Sequence, residues 1–313
     1  MESFAAIYLP QLDVIFLFDE SEQNEASLYI ENFGTSKRIC FKSRQEETFP
    51  NFKLKNSRLE SVSEDIYLHW VQECIAQIQI GEFTKLVAAQ YQVESIHGEI
   101  DDYLQLMRKL IWHLPDTFVY LFFIDGEIWL GASPEMIGIY ENKIFKTISI
   151  AGTKKEEDFT EKEIEEQAIV SKYISSHFAA ASLKQDSTTK VQHFGDIRHL
   201  INEYEYNVGD EFEFEKAIHT IHPSPALAGY PKEISIDFIN KNEPIQRDFY
   251  CGLASLSIQE NKYSFATIRC ARISANQIAY YAGAGITKDS DPASEWRETL
   301  EKIGVLKRAI FSL

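Results

Sequence analysis

Two ionisable residues stand at positions where burial would give them acid–base chemistry. Lys85 lies in an apolar run, and the strand period of two puts it on the same face as Val87 and Ala89. Burial there would favour the free amine, which can take a proton. Glu135 follows a Ser-Pro turn after a strand, and burial of its carboxyl group would let it donate a proton. An edge-strand lysine and an exposed turn glutamate are the alternatives.

Another carboxylate falls on the inner face of a predicted helix over 160–183. At 100° per residue, Glu166 shares a face with Val170 and Tyr173, away from Glu161, Glu165 and Lys172. Glu166 is therefore the acid of this helix most suited to face protein. A salt bridge to a neighbouring element is an equally good explanation.

The last predicted helix, 292–311, carries a mixed group of charges at the border of its apolar stripe. The stripe consists of Trp296, Leu300, Ile303 and Ile310. Beside it, within about 60°, lie Glu295, Glu298 and Lys302. These side chains could line a site for a cation and an anion. The alternative is an ordinary Glu298–Lys302 pair, which contributes about 0.2–0.5 kcal/mol.

Arg269 is predicted in the middle of a strand, on the face of Phe265 and Thr267. A guanidinium there needs a partner, either a carboxylate of the protein or one of a ligand. Gly283 and Gly285, beyond the next strand, allow close backbone approach because glycine has no side chain.

The composition of the chain limits the number of domains and the classes of ligand that these residues could bind. The chain has 313 residues, is 44% hydrophobic and has no obvious linker, so one domain over 1–313 is expected. A net charge of -17 argues against nucleic acid and requires local positive charge at any anion site. The start of the chain predicts a strand rather than a leader, and no stretch is long enough to cross a bilayer. A cytoplasmic, monomeric protein with four reduced cysteines is expected.

The pattern of elements favours an α+β fold with antiparallel sheets. Between Phe118 and Ile150, two apolar runs meet at Asp125-Gly126, a dipeptide suited to a hairpin turn, and a third run follows residues 141–143. These runs predict an antiparallel meander. A second hairpin is predicted between 263–273 and 278–284. Helices are predicted over 59–80 and 101–114, and a strand over 84–93. Hairpins are thus grouped apart from helices, unlike the alternation of a doubly wound sheet.

Taken in order, these segments resemble the chorismate-binding catalytic domain of isochorismate synthase, salicylate synthase, anthranilate synthase component I and aminodeoxychorismate synthase component I. The resemblance covers about residues 80–313, and the first 60 or so residues have no counterpart. The segments that carry it are 83–87, 131–135, 150–153, 162–167, 222–226, 247–252, 268–269, 281–285 and 290–299 with Lys302.

The resemblance implies packed antiparallel sheets with helices outside and a site in a cleft between them. It implies Mg²⁺ bound by Glu166 and Glu298 with help from Glu295, a ligand set that suits this cation. Arg269 would hold the enolpyruvyl carboxylate of chorismate. The ring carboxylate would be held by Lys302 and the amides near Gly283 and Gly285. Three further residues that it implies as substrate contacts are Thr153, His222 and Tyr281.

The resemblance also indicates the reaction. Lys85 would be the general base for water and Glu135 the general acid, which predicts an isochorismate synthase. Salicylate synthase shares these residues; anthranilate synthases usually have glutamine at position 85, and aminodeoxychorismate synthases often have lysine where this chain has Ala151. A non-catalytic metal-binding relative is a further alternative. Use of the product for menaquinone or a siderophore stays open. The chain departs from the family pattern at Gln90, Ser224, Asp248 and Phe249.

Overall fold

The computed structural model describes residues 2–46, 48–96, 102–178, 182–186 and 188–311. This part of the chain contains six α-helices: α1 Glu64–Gln79, α2 Tyr103–His113, α3 Glu161–His177, α4 Phe214–Ile221, α5 Lys232–Asn242 and α6 Pro292–Phe311. Its strands are β1 Phe4–Leu9, β2 Val14–Glu20, β3 Leu28–Glu31, β4 Arg38–Ser43, β5 Lys85–Ser95, β6 Phe118–Ile124, β7 Glu127–Ser133, β8 Met136–Glu141, β9 Ile144–Lys154, β10 Ser182–Asp186, β11 Lys190–Phe194, β12 Ile197–Asn207, β13 Gly229–Tyr230, β14 Gly252–Ile258, β15 Asn261–Thr267, β16 Cys270–Ile273 and β17 Gln277–Ile286.

Every strand pairing in the described residues is antiparallel, which confirms the predicted fold class. One continuous path of paired strands runs β5–β17–β16–β7–β6–β1–β2–β4–β3–β14–β15–β8–β9–β12. The strands at its two ends, β5 and β12, contribute residues to the same pocket.

Strand β6 explains why its sequence is an unbroken apolar run. Its side chains point alternately to two faces, and both faces are buried. Phe118, Tyr120 and Phe122 belong to the larger hydrophobic cluster, whereas Val119 and Leu121 belong to the smaller one, which also includes residues of α2 and α6. The antiparallel meander that the sequence predicts over 118–150 forms only as two hairpins, β6–β7 and β8–β9, because β7 pairs with β16 and β8 with β15 and not with each other.

The turn between β6 and β7 has the backbone that its residues predicted. Asp125 and Gly126 both have positive φ, at 53° and 79°. These angles are the ones that a two-residue hairpin turn requires, and glycine and aspartate tolerate them better than most residues.

The helices agree with prediction except at some ends. Helix α1 begins later than expected, where Ser63 accepts a hydrogen bond from the amide of Ile66. The expected start of the second helix at Asp101 lies outside the described residues. The prediction that the third helix reaches Leu183 is wrong, because α3 ends at His177 and Leu183 lies in β10. Helix α6 has the predicted bounds.

The predicted strand over 263–273 is interrupted, so the placement of Arg269 in mid-strand is wrong. Strand β15 pairs with β14 and β8, whereas β16 pairs with β7 and β17. The chain therefore bends between them, and Arg269 lies in that bend with a φ of 50°. The hairpin expected from this region forms only between β16 and β17.

Three further expectations can be compared with the structure. None of the described helices is long and apolar enough to span a bilayer. All four cysteines are free thiols, and Cys74, Cys251 and Cys270 are buried. Leu300 was expected in the buried stripe of α6, but it is 38% exposed, because the helix presents that turn to solvent.

Candidate active site

A pocket that encloses about 70 Å³ lies among the strands of this sheet and the helices α3 and α6. Its walls come from β5, the turn after β7, β9, α3, β12, the bend after β15, β17 and α6. Eight of the twelve predicted site residues line it: Glu135, Thr153, Glu166, Arg269, Tyr281, Gly283, Gly285 and Lys302. The described structure therefore brings together residues that are more than 160 positions apart in the chain.

Lys85 lies directly behind the pocket wall. Its side chain is fully buried, and Nζ lies 2.9 Å from Oε1 of Glu166, which lines the pocket. The alternative of an edge lysine in solvent is wrong. The alternative of a salt bridge for Glu166 is correct.

Gly285 makes this ion pair possible. A Cβ at this position would lie 2.0 Å from Oε1 of Glu166 and 2.9 Å from Cε of Lys85. No side chain fits there, so the close approach of Lys85 and Glu166 to β17 requires glycine. Gly283 and Gly285 were expected beyond the strand, but both lie within β17.

Glu135 is a buried acid and not an exposed turn residue. Glu135 lies in the turn between β7 and β8, and the residue is only 5% exposed. Burial raises its pKa to about 7, although the hydrogen bond from Ser224 and the charges of Lys85, Lys302 and Arg269 oppose that shift. Oγ of Ser224 donates to Oε1 of Glu135 at 3.2 Å. Near neutral pH the carboxyl group can therefore carry a proton.

Lysines engage both acids of α6. Nζ of Lys302 donates to Oε1 of Glu298 at 2.7 Å and to the carbonyl of Gly283 at 2.8 Å. Nζ of Lys162 donates to Oε1 of Glu295 at 2.5 Å. The predicted pair between Glu298 and Lys302 therefore forms, and it also ties α6 to β17.

The charges of these acids are unequal. Burial and the neighbouring charge of Glu298 raise the pKa of Glu295 to about 7, against the effect of Lys162. Burial opposes the charge of Glu298 as well, but Lys302 and Lys162 lower its pKa. Glu298 is therefore the more strongly ionised of the two.

The donor set fits a hard cation such as Mg²⁺. Although burial disfavours the charge of Lys162, the combined field of Glu295, Glu298 and Glu166 raises its pKa. The three carboxylates thus act on one region, and Oε2 of Glu295 is a buried oxygen without a hydrogen-bond partner. In the described ranges no three acidic, histidine or cysteine side chains form a ready cage. Mg²⁺ needs only one or two protein carboxylates together with water and substrate oxygens.

Sequence reasoning missed His199, which lies on β12 and lines the pocket. Its Nε2 lies 2.8 Å from Nη2 of Arg269, and its Nδ1 lies 3.1 Å from the carbonyl of Gly152. Arg269 therefore has a protein partner, but it is an imidazole and not a carboxylate. A histidine on the same strand face as Ile197 and Ile201 was the available signal.

Of the three remaining residues predicted to contact the substrate, Thr153 and Tyr281 line the pocket and His222 does not. Oγ1 of Thr153 lies 3.2 Å from Nδ1 of His199. The ring of Tyr281 stacks against Tyr250, with centroids 5.5 Å apart. His222 is buried, with its carbonyl accepting a hydrogen bond from Lys232 at 2.7 Å, and it is not among the residues that line the pocket.

Relatives of this chain include two isochorismate synthases. The isochorismate synthase MenF of Escherichia coli strain K12 is 31% identical over 248 residues, which are 72% of this chain and 56% of that protein. The isochorismate synthase EntC of the same strain is 29% identical over 223 residues, which are 64% of this chain and 56% of that protein. The match thus spans little more than half the length of these relatives.

Solved structures share the fold. The menaquinone-specific isochorismate synthase MenF from Escherichia coli has a TM-score of 0.80 at 19% identity, with 98% of this chain and 88% of that chain covered. Anthranilate synthase component I from Streptococcus pneumoniae has a TM-score of 0.69 at 20% identity, covering 94% and 72%. A family model described as chorismate binding enzyme matches residues 13–311, which includes most of the region that had no counterpart in the motifs. The chain belongs to the family of chorismate-binding enzymes.

Proposed function

We propose that the protein is a Mg²⁺-dependent isochorismate synthase, which converts chorismate into isochorismate. The observation that carries the proposal is that a buried carboxyl group with a pKa of about 7, Glu135, lines the pocket, and that a fully buried amine, Lys85, lies directly behind its wall, 2.9 Å from Glu166. Water addition needs a base for the incoming water and an acid for the departing hydroxyl group. Relatives named isochorismate synthase support this choice of reaction.

The charge of the pocket suits a dianionic substrate. Chorismate carries two carboxylates, and the protein as a whole carries a net charge of -17. Arg269 and Lys302 line the pocket and supply positive charge where the average field is repulsive. We assign Arg269 to the enolpyruvyl carboxylate, and Lys302 with the backbone near Gly283 and Gly285 to the ring carboxylate.

Glu166 and Glu298, with Glu295, would hold Mg²⁺. When bound, the cation would neutralise these acids and the ring carboxylate of the substrate. We assign Lys85, whose Nζ lies 2.9 Å from Oε1 of Glu166, as the base that accepts a proton.

The proposed reaction balances without any other reactant. Lys85 takes a proton from water as the water oxygen forms a bond to C2 of chorismate. The two ring double bonds shift, the C4–O bond breaks, and Glu135 gives its proton to the leaving hydroxyl group, which departs as water. Exchange with solvent then returns the proton from Lys85 and restores that of Glu135. A monomer in the cytoplasm stays a prediction.

Product identification tests the proposal. The purified protein is incubated with chorismate and Mg²⁺, and the products are separated by chromatography. Isochorismate as the main product is expected. Salicylate with pyruvate would indicate a salicylate synthase, and an aminated product formed with ammonium would indicate the anthranilate or aminodeoxychorismate reaction. No consumption of chorismate would favour a non-catalytic relative.

A further inference from the structure

One edge of strand β5, which carries Lys85, has a strand partner over only two residues. Strand β13 pairs with Lys85 and Leu86, and among the residues that the structure describes no strand continues along this edge. The next residues are buried, and buried peptide groups need hydrogen-bond partners. Something other than a strand must therefore satisfy the edge beyond Leu86.

A side-chain ion pair occupies that place. Nη2 of Arg247 donates to the carbonyl of Val87 at 2.7 Å, and the amide of Ala89 donates to Oε1 of Glu243 at 2.8 Å. Residues two apart in a strand direct their peptide groups to the same side. The guanidinium and the carboxylate thus replace successive peptide groups of a neighbouring strand.

The geometry of the pair is that of a rigid unit. Nε and Nη2 of Arg247 donate to Oε2 and Oε1 of Glu243 at 2.6 Å and 2.7 Å, and the two side chains are 2% and 1% exposed. Burying two charges costs several kcal/mol per ion unless every hydrogen bond is satisfied. The fixed fork of arginine permits this arrangement, which the single ammonium of lysine cannot reproduce.

The same pair reaches the acid side of the pocket. Nη1 of Arg247 donates to the carbonyl of Leu227 at 2.7 Å, and the amide of Leu227 donates to the carbonyl of Ser224 at 2.9 Å. Ser224 in turn holds Glu135. One guanidinium thus connects the strand of the proposed base with the turn that holds the proposed acid.

We propose that Arg247 and Glu243 form a positioning pair that fixes β5 against the turn 224–227 and so sets the separation of Lys85 and Glu135 across the pocket. The inference rests on the function proposed above. Neither residue touches the substrate in this proposal. Loss of the Arg247–Glu243 pair is expected to lower the rate of the chemical step while leaving the carboxylate contacts of Arg269 and Lys302 in place.

The first test is Arg247→Lys, which keeps the charge and removes the fork. A misplacement of about 1 Å can cost about 100-fold in rate, so we expect kcat to fall about 10- to 100-fold with KM for chorismate changed less than about 3-fold. Arg38→Lys is the matched control, since Arg38 also pairs with a buried glutamate, Glu31, at 2.6 Å. Its kcat should stay near that of the wild type. Equal kcat values for the two folded variants would overturn the proposal.

A double variant separates positioning from stability. Arg247→Met with Glu243→Leu removes both charges, so that no unpaired charge stays buried, and the thermal midpoint of the variant shows whether it folds. It leaves the carbonyl of Val87 and the amide of Ala89 without their partners. We expect a folded protein with a kcat lowered as in Arg247→Lys. A kcat equal to that of the wild type would contradict the inference.

Amide hydrogen exchange of the wild-type protein needs no variant and no turnover. The amide of Ala89 should exchange as slowly as amides of β5 that pair with β17, and fast exchange would refute the proposed role of Glu243. A wild-type protein that does not convert chorismate would instead refute the proposed function. The two failures are therefore distinguishable.

Discussion

Nη2 of Arg269 donates a hydrogen bond to Nε2 of His199 at 2.8 Å. A guanidinium has no acceptor, so Nε2 must be the acceptor and the ring proton must lie on Nδ1, next to the carbonyl of Gly152. Burial, together with the charges of Arg269 and Lys302, lowers the pKa of His199 well below its usual 6.5. The neutral ring therefore holds one arm of Arg269 and leaves the others for a carboxylate.

Replacement of His199 should weaken chorismate binding. A hydrogen bond to a charged group contributes about 1.5–3 kcal/mol, so His199→Phe should raise KM about 10- to 100-fold, with a smaller change in kcat. Steady-state kinetics would measure this, with His69→Phe on the surface as the control. An unchanged KM would show that Arg269 does not need His199.

Activity should fall as the pH rises above about 7. Glu135 must be protonated to act as the acid, and burial raises its pKa to about 7. Below that pH the proton is present, and above it kcat should fall tenfold per pH unit. Ser224 donates to the carboxyl oxygen and stabilises its charged form. Ser224→Ala should therefore move the alkaline limb of the kcat profile to higher pH; a limb that does not move would exclude Glu135 as its source.

Lys85→Ala should abolish water addition while chorismate still binds. The amine is the proposed base, whereas the proposed carboxylate contacts come from other elements. We expect kcat to fall at least about 100-fold, the lower end for loss of a general base. Binding would be followed by calorimetry, and Lys241→Ala, an exposed lysine on α5, is the control. Turnover at the wild-type rate would remove Lys85 from the mechanism.

Gly285→Ala should disrupt the pair between Lys85 and Glu166. The added Cβ would lie 2.0 Å from Oε1 of Glu166, so the carboxylate must move. Overpacking of this kind costs about 1–3 kcal/mol, and we expect a lower thermal midpoint together with loss of activity. Gly209→Ala is the control, because a Cβ there meets nothing within 4 Å. Normal activity of Gly285→Ala would mean that the Glu166 position is not required.

Glu298→Gln should raise the Mg²⁺ concentration needed for half-maximal activity. The amide keeps the shape of the side chain but removes the charge expected to attract the cation, and we expect a shift of at least about 10-fold. A Mg²⁺ titration of kcat would measure it. Glu301→Gln changes an exposed acid of the same helix and should have no effect. Identical titrations for both variants would argue against Glu298 as a ligand.

The residues that periodicity could predict are those whose surroundings are local. The face of Lys85 follows from alternation along one strand, and the positions of Glu295 and Glu298 beside the apolar stripe follow from helical spacing. The turn at Asp125 follows from two residues. In each case the neighbours that decide the conformation lie within a few positions.

What could not be predicted depends on distant segments. The bend at Arg269 exists because the flanking strands pair with different partners, which no local pattern contains. Glu243 looks like a helix-end glutamate, and only the open edge of β5 gives it a role. Lys85 of β5 is the partner of Glu166, which lies 81 positions later in the chain. Lys162 of α3 is the partner of Glu295, which lies 133 positions later.

Strand β6 contributes alternate side chains to both hydrophobic clusters, so neither cluster is complete without it. A cavity made at Leu121 on one face would also loosen the backbone that presents Phe122 to the other. Unfolding of one cluster would therefore remove packing from a strand that the other cluster shares, and the stabilities of the two clusters are expected to be coupled.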